Sequence, residues 1–261
     1  MRAYAWVGAL CLALAGCGTA PPPPRARSAS ATTQGRRPQH KYAVLVNSDT
    51  AGEHKRNVSR AYRTLRILGF ATSDIFVLSP RDRRNPVAIT TPFYKPFPEN
   101  FASVMDHLAG TVGAGDLVLV YGTGHGDTDQ GESLLELRGG ELWAGDLRDE
   151  VDRLHGNTVV VMDQCFSGGF IDAFQGTKSK AIVIATVDRD HMTYCAAFAR
   201  AFWDAFLHPE RAGRNHGGKT SIREAFEVAA EANRKQLAGD PELRATARCA
   251  SFNGFDDAVL N

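Results

Sequence analysis

Five short runs of apolar, β-type residues dominate the chain: "YAVLVN" (Tyr42 to Asn47), "DIFVLS" (Asp74 to Ser79), "LVLVYG" (Leu117 to Gly122), "TVVVMD" (Thr158 to Asp163) and "AIVIAT" (Ala181 to Thr186). Each is continuous rather than alternating, the pattern of a strand covered on both faces, as in a parallel sheet. Helical segments separate them. Glu53 to Leu68 carries Val58, Ala61, Tyr62, Leu65 and Leu68 on one face, and Gly69 supplies a stop. Asn100 to Leu108, a helix through Leu154 capped by Asp146, Ala196 to Leu207 and Ile222 to Leu237 follow. "ESLLEL" and "GELWA" around Gly139-Gly140 predict a hairpin. Pro80 to Pro98 reads as a surface loop. Strands alternating with helices predict an α/β domain with a mostly parallel sheet flanked by helices.

Such sheets bind ligands outside the carboxyl ends of their strands. Two strand ends carry reactive groups. After the third run comes "YGTGHGDTDQG", with His125 between Gly124 and Gly126; after the fourth comes "DQCFSGG", with Cys165. If the two strands are neighbours, an imidazole and a thiol project from adjacent loops. A thiol needs a base to become a strong nucleophile near neutral pH. The Gly126 amide, with that of Cys165, could form an oxyanion hole. Alone, a cysteine ending a strand is more often a small buried hydrophobe. Ser167 reads as a residue that supports the loop by a local hydrogen bond. The acidic run "DTDQGE" misses the spacing of a calcium loop and reads as a solvated turn.

The amino terminus adds a second theme. Arg2 precedes a short apolar stretch, Ala3 to Ala15, which ends in Leu14-Ala15-Gly16-Cys17. The stretch is too short for a stable span and reads as a secretory signal over residues 1–16. Its end resembles the lipobox of bacterial lipoproteins, which implies lipid on Cys17; Gly18 implies sorting to the outer membrane, facing the periplasm. Residues 17–41 are rich in Pro, Arg, Ser, Thr and Gln and predict a flexible tether, leaving a domain over 42–261. Residues 1–41 hold six basic and no acidic residues, so the remainder carries 24 basic against 29 acidic. Nothing in that balance suggests nucleic-acid binding. Of the five cysteines, Cys165, Cys195 and Cys249 belong to the domain. Cys195 and Cys249 form a disulfide or stay as two buried thiols. No spacing supports a structural zinc site, and no metal or cofactor is expected.

A strand running into "GHG", then one ending in D-x-C-x-S-G, resembles the caspase-like clan of cysteine peptidases. "HKRNVSRAYRTLRILGF", "PENFASVM" and "TVDRDHMTYC" are similar to segments of the legumain (asparaginyl endopeptidase) family, while "DQCFSGG" is closer to metacaspase-like bacterial peptidases. The likeness covers Tyr42 to Phe206. It implies a caspase-like three-layer sandwich and an endopeptidase in which Cys165 is the nucleophile, His125 the general base and acid, and Gly126 an oxyanion donor. It also implies a substrate pocket near Asp163, Glu53 and His54, with Asp188 or Asp190 lining its rim. An unpaired Asp163 carboxylate at the pocket floor would favour a basic side chain before the cut; asparagine is the family's alternative. The partners implied are a peptide or protein substrate and, through the lipid, a membrane. Two other functions stay open: an inactive peptide-binding lipoprotein, and a transpeptidase or transamidase using the same thioester.

Overall fold

A computed structural model describes residues 39–80, 91–193, 196–212, 218–238 and 246–260. The signal, Cys17 and all of the tether before residue 39 lie outside these, as does Cys195. All described residues belong to one compact unit, 32–261.

In chain order the elements are β1 (Lys41–Asn47), α1 (Gly52–Ile67), β2 (Ile75–Leu78), β3 (Phe93–Tyr94), α2 (Pro98–Ala109), β4 (Leu117–Thr123), β5 (Gly126–Asp129), β6 (Glu132–Leu137), β7 (Gly140–Trp143) and α3 (Ala144–Asp152). They continue as β8 (Asn157–Asp163), α4 (Gly168–Ala173), β9 (Ala181–Ala185), α5 (Ala196–Leu207), α6 (Pro209–Ala212), α7 (Ile222–Leu237) and β10 (Arg248–Phe252). Seven strands form one sheet in the order β10-β9-β8-β4-β1-β2-β3. All its pairs are parallel except β9 with β10. The protein is a three-layer α/β sandwich.

The continuous apolar runs explain the layers. Alternate residues of each central strand feed opposite cores. Leu45, Leu119, Tyr121, Val159, Val161 and Ile184 face one way and pack with Leu65 of α1, Phe198, Phe202 and Trp203 of α5, and Ala225 of α7. Val44, Val46, Val120, Val160 and Met162 face the other way, against Phe101 and Met105 of α2, Leu147 of α3 and Phe170 of α4. The second core also takes Leu135, Leu137 and Leu142 from a small antiparallel sheet, β5-β6-β7.

Several local expectations need correction. Asp146 does not cap α3. The helix starts at Ala144 with Trp143 as its N-cap, and the Glu132 carboxylate accepts the Gly145 N–H at 2.8 Å instead. The Pro-rich loop holds the edge strand β3, which pairs with β2. "DTDQGE" is the exposed turn its composition suggests, closed as a tight hairpin in which β5 and β6 flank Gln130 and Gly131, both at positive φ. Gly69, at φ 84°, does stop α1, and Ser221 with Glu224 forms a full capping box on α7.

Strand order locates the crevice. From β1 the chain builds outward through β2 and β3, then returns to place β4 on the other side of β1 and continues to β8 and β9. The direction reverses between β1 and β4, and the carboxyl ends of strands at such a switch point are where open α/β sheets bind ligands.

Candidate active site

Three neighbouring strands end together. Asn47 of β1 pairs with Thr123 of β4, and Thr123 with Asp163 of β8. The residues just beyond, Ser48-Asp49, Gly124-His125-Gly126 and Gln164-Cys165, therefore crowd one rim. β4 and β8 are adjacent, so the loops of His125 and Cys165 are adjacent too.

Gly126 shows how close they are. A Cβ built there would lie 2.3 Å from the Cys165 carbonyl oxygen and 2.5 Å from Gln164 Cγ. Only a glycine lets the two backbones meet, and that contact brings the proposed oxyanion residues together. The Gln164 side chain is wholly buried beneath it. Phe166, straight after Cys165, adopts φ 57°, an uncommon conformation for a bulky residue. Its carbonyl accepts from Ser133 Oγ at 2.7 Å. Ser167 supports the loop, as its place in the sequence suggests: its Oγ accepts the Thr186 N–H at 3.1 Å and the Val187 N–H at 3.3 Å.

His125 is open to solvent, with a side chain 66% exposed, and its Nε2 lies 3.2 Å from Asp49 Oδ2. Asp49 is the residue that sequence reasoning missed. It sits two positions past Asn47, whose side-chain oxygen accepts the Asp49 N–H at 3.0 Å and so shapes the turn. Inspecting every strand end, β1 included, would have found it. Cys165 is half-buried and a free thiol. Its Sγ is 3.4 Å from the Thr193 N–H nitrogen and 3.6 Å from the Thr193 carbonyl oxygen. Among the described residues, no hydrogen bond joins His125 to Cys165; the imidazole engages Asp49 and the sulfur engages Thr193.

The first turns of α1 reach the same rim. His54 and Asn57, three apart, share a helix face. His54 Nδ1 is 2.8 Å from Thr123 Oγ1, and Asn57 Nδ2 donates to Asp163 Oδ2 at 3.3 Å. Each thus contacts the last residue of a central strand. Burial pushes the His54 imidazole below its ordinary pKa; Asp49 and Glu53 oppose that shift, and His125 adds to it. The His54 and His125 rings meet edge to face, with centroids 6.0 Å apart.

Asp163 departs from the sequence expectation. Its carboxylate is not unpaired: Oδ2 accepts from Tyr121 Oη at 2.8 Å as well as from Asn57, and the residue is fully buried. Both of these bonds fall on the same carboxylate oxygen, in a site shut away from water. Asp188 follows β9, half-buried, with its carboxylate 3.9 Å from Arg248 Nε. Glu53 is partly exposed in the first turn of α1.

Among the described residues, no group of His, Cys, Asp and Glu side chains could hold a metal ion, and no helix is long and apolar enough to cross a membrane. Cys249 is a free thiol within β10; its pairing with Cys195 falls outside the described residues.

No family model and no curated protein matches the chain. Among solved structures it is similar to protein GSU0716 from Geobacter sulfurreducens, with a TM-score of 0.55 and 13% identity over 81% of this chain and 93% of that one. A likeness at that identity extends to the fold alone.

Proposed function

We propose that the protein is a cysteine endopeptidase of caspase-like type. The observation that supports this most is convergence at the switch point: His125 and Cys165 leave adjacent parallel strands, and a carboxylate from the third strand, Asp49, meets the imidazole at 3.2 Å.

The chemistry follows from the groups present. Cys165 gives its proton to His125, and the sulfur attacks the substrate carbonyl carbon. The backbone amides of Gly126 and Cys165 stabilise the oxyanion. His125, held by Asp49 and charged at this stage, passes the proton to the departing amine nitrogen as the C–N bond breaks. The resulting thioester is hydrolysed when His125 removes a proton from water. The C–S bond then breaks, the sulfur regains the proton, and the acid leaves. Asp49 fixes the ring through its contact with Nε2.

Preference before the cut cannot rest on an open Asp163 carboxylate. Glu53 and Asp188, both accessible to solvent, are the acidic groups that would favour a basic side chain there. Comparing cleavage after Arg, Lys, Asn and Asp in otherwise equal peptides tests this. The amino-terminal reading completes the proposal: an envelope lipoprotein, whose fatty-acid labelling disappears in Cys17→Ala.

The deciding experiment is labelling with an acyloxymethyl-ketone peptide probe and mapping of the modified residue. The expected site is Cys165. Labelling of another cysteine, or peptide cleavage that survives Cys165→Ala, overturns the proposal.

A further inference from the structure

The segment between β9 and α5 is more than a connector, because residue after residue along it touches the Cys165 loop. Thr186 and Val187 donate backbone N–H groups to Ser167 Oγ. His191 accepts the Phe166 N–H through its carbonyl at 2.8 Å. Thr193 sits on the sulfur itself, with its N–H nitrogen at 3.4 Å and its carbonyl oxygen at 3.6 Å. A Cβ on Gly168 would lie 2.4 Å from the Arg189 nitrogen, so the segment lies flat on the start of α4. These bonds hold Phe166 in its left-handed conformation.

The outer side of the segment is fastened differently. Arg189 donates to the Gly131 carbonyl and reaches Asp172 of α4 at 3.3 Å. Arg248 of β10 lies 3.7 Å from Asp172 and 3.9 Å from Asp188. The four side chains of this network are each about a third or more exposed, and ion pairs in such positions are weak and screened by salt. Met192, at 59%, stands out into solvent beside Thr193, which is buried. The inner bonds therefore grip the nucleophile while the outer ties are easily loosened.

We propose that Asp188 to Thr193 is a strap that keeps the Cys165 sulfur in a resting position, and that lifting it exposes the sulfur for attack. The inference rests on reading Cys165 as the nucleophile. It follows from geometry: an acyl carbon must approach to about 3 Å of the sulfur, and the docked sulfur instead has the Thr193 peptide group beside it and no bond to His125. Regulation then consists of anything that shifts the strap between docked and lifted, beginning with the Arg189 and Arg248 ties.

The test measures alkylation of Cys165 at one fixed pH with small iodoacetamide and with a bulky maleimide, using peptide mapping to assign each modified cysteine. The full chain is compared with Arg189→Ala and Arg248→Ala, each checked for intact folding by thermal unfolding. Lifting the strap raises the maleimide rate at least about threefold and the iodoacetamide rate less, because the larger reagent needs more room; a change in thiol acidity alone would move both together. Salt provides a second arm without mutation: 1 M NaCl, with a screening length of about 3 Å, gives the same selective gain in the unaltered protein. Equal rates throughout, or parallel changes for both reagents, overturn the strap. Alkylation needs no peptide cleavage, so the two proposals fail separately. A protein that shows the selective gain but cleaves no peptide keeps the strap and loses the peptidase; one that cleaves through Cys165 with indifferent alkylation does the reverse.

Discussion

Cys249 lies within a strand of the central sheet and Cys165 just beyond the end of another, and they occupy opposite chemical settings. Cys249 lies inside β10, paired with Ile184 of β9 and packed against the core that α1, α5 and α7 cover. Burial pushes its thiol up to about 11; Arg223 eases the shift and Asp257 adds to it. Cys165 lies two residues past the end of β8, in a loop that meets backbone amides, an adjacent imidazole loop and solvent. Within a strand, both flanking peptides are tied into the ladder and the side chain can only pack. Just past the carboxyl end, the chain turns and its side chains and amides face a crevice. Placement relative to the strand end separates the structural thiol from the proposed nucleophile.

That contrast can be broken most directly by substitution. Cys165→Ala should reduce peptide cleavage by about 10⁴-fold or more, as loss of a nucleophile does. Cys249→Ala should leave it within about twofold and cost on the order of 1 kcal/mol of stability in thermal or denaturant unfolding. Comparable loss of activity in both variants would end the distinction. Next in size is the alkylation of Cys249 in the folded protein. It should rise on the order of 10²- to 10³-fold between pH 8 and pH 11, because only the thiolate reacts. In denaturant, where the ordinary value of 9.0 holds, the rise should level off about two units earlier.

The surroundings of Cys165 sharpen the comparison. His125→Ala should lower kcat by about 10²- to 10³-fold, the contribution of a positioned acid and base. It should leave Cys249 reactivity unchanged. Asp49→Asn should lower kcat by about tenfold, a smaller effect because the partner imidazole is largely exposed and its carboxylate partly screened. The smallest effect is on stability. The folded pKa of His54 is below the ordinary 6.5, so the unfolded chain takes up the proton first. His54 therefore leaves stability whole above pH 6.5 and lowers it as pH falls from there through the folded value. Unfolding midpoints of His54→Asn should show a flatter acid slope; an unchanged slope removes His54 from the buried cluster at the rim.

Much of the sheet was legible because strands buried on both faces must be apolar throughout, and the five runs stand out for that reason. The strands that were missed obey other rules. β3 is only Phe93–Tyr94. β5, "GDTD", is largely exposed, and β10, "RCASF", is a half-buried edge strand, so neither shows a continuous apolar run. Helix α4 opens with two glycines, against its propensity; buried Phe170 and Ile171 hold it in place. At the site, His125 and Cys165 could be picked out because strand ends and flanking glycines mark them. Asp49 also lies just past a strand end, but in "NSDT" no flanking glycine marks it out. Asp163 was misread because its partners, Tyr121 and Asn57, are 42 and 106 residues away in the chain. A carboxylate's pairing is a property of the fold, and no local pattern carries it.

Lys41, the first residue of β1, donates its ammonium to the carbonyls of Leu68 and Leu260, at 2.7 and 2.9 Å. It thereby clasps the beginning and the end of the domain together at the amino edge of the sheet. β1 runs seven residues from there to the rim that bears Asp49, a span of roughly 23 Å at about 3.3 Å per residue. Lys41 itself therefore stands at the far end of β1 from the rim and its cysteine. A handle joined at His40, the residue before β1, would thus start from the edge of the sheet opposite that rim.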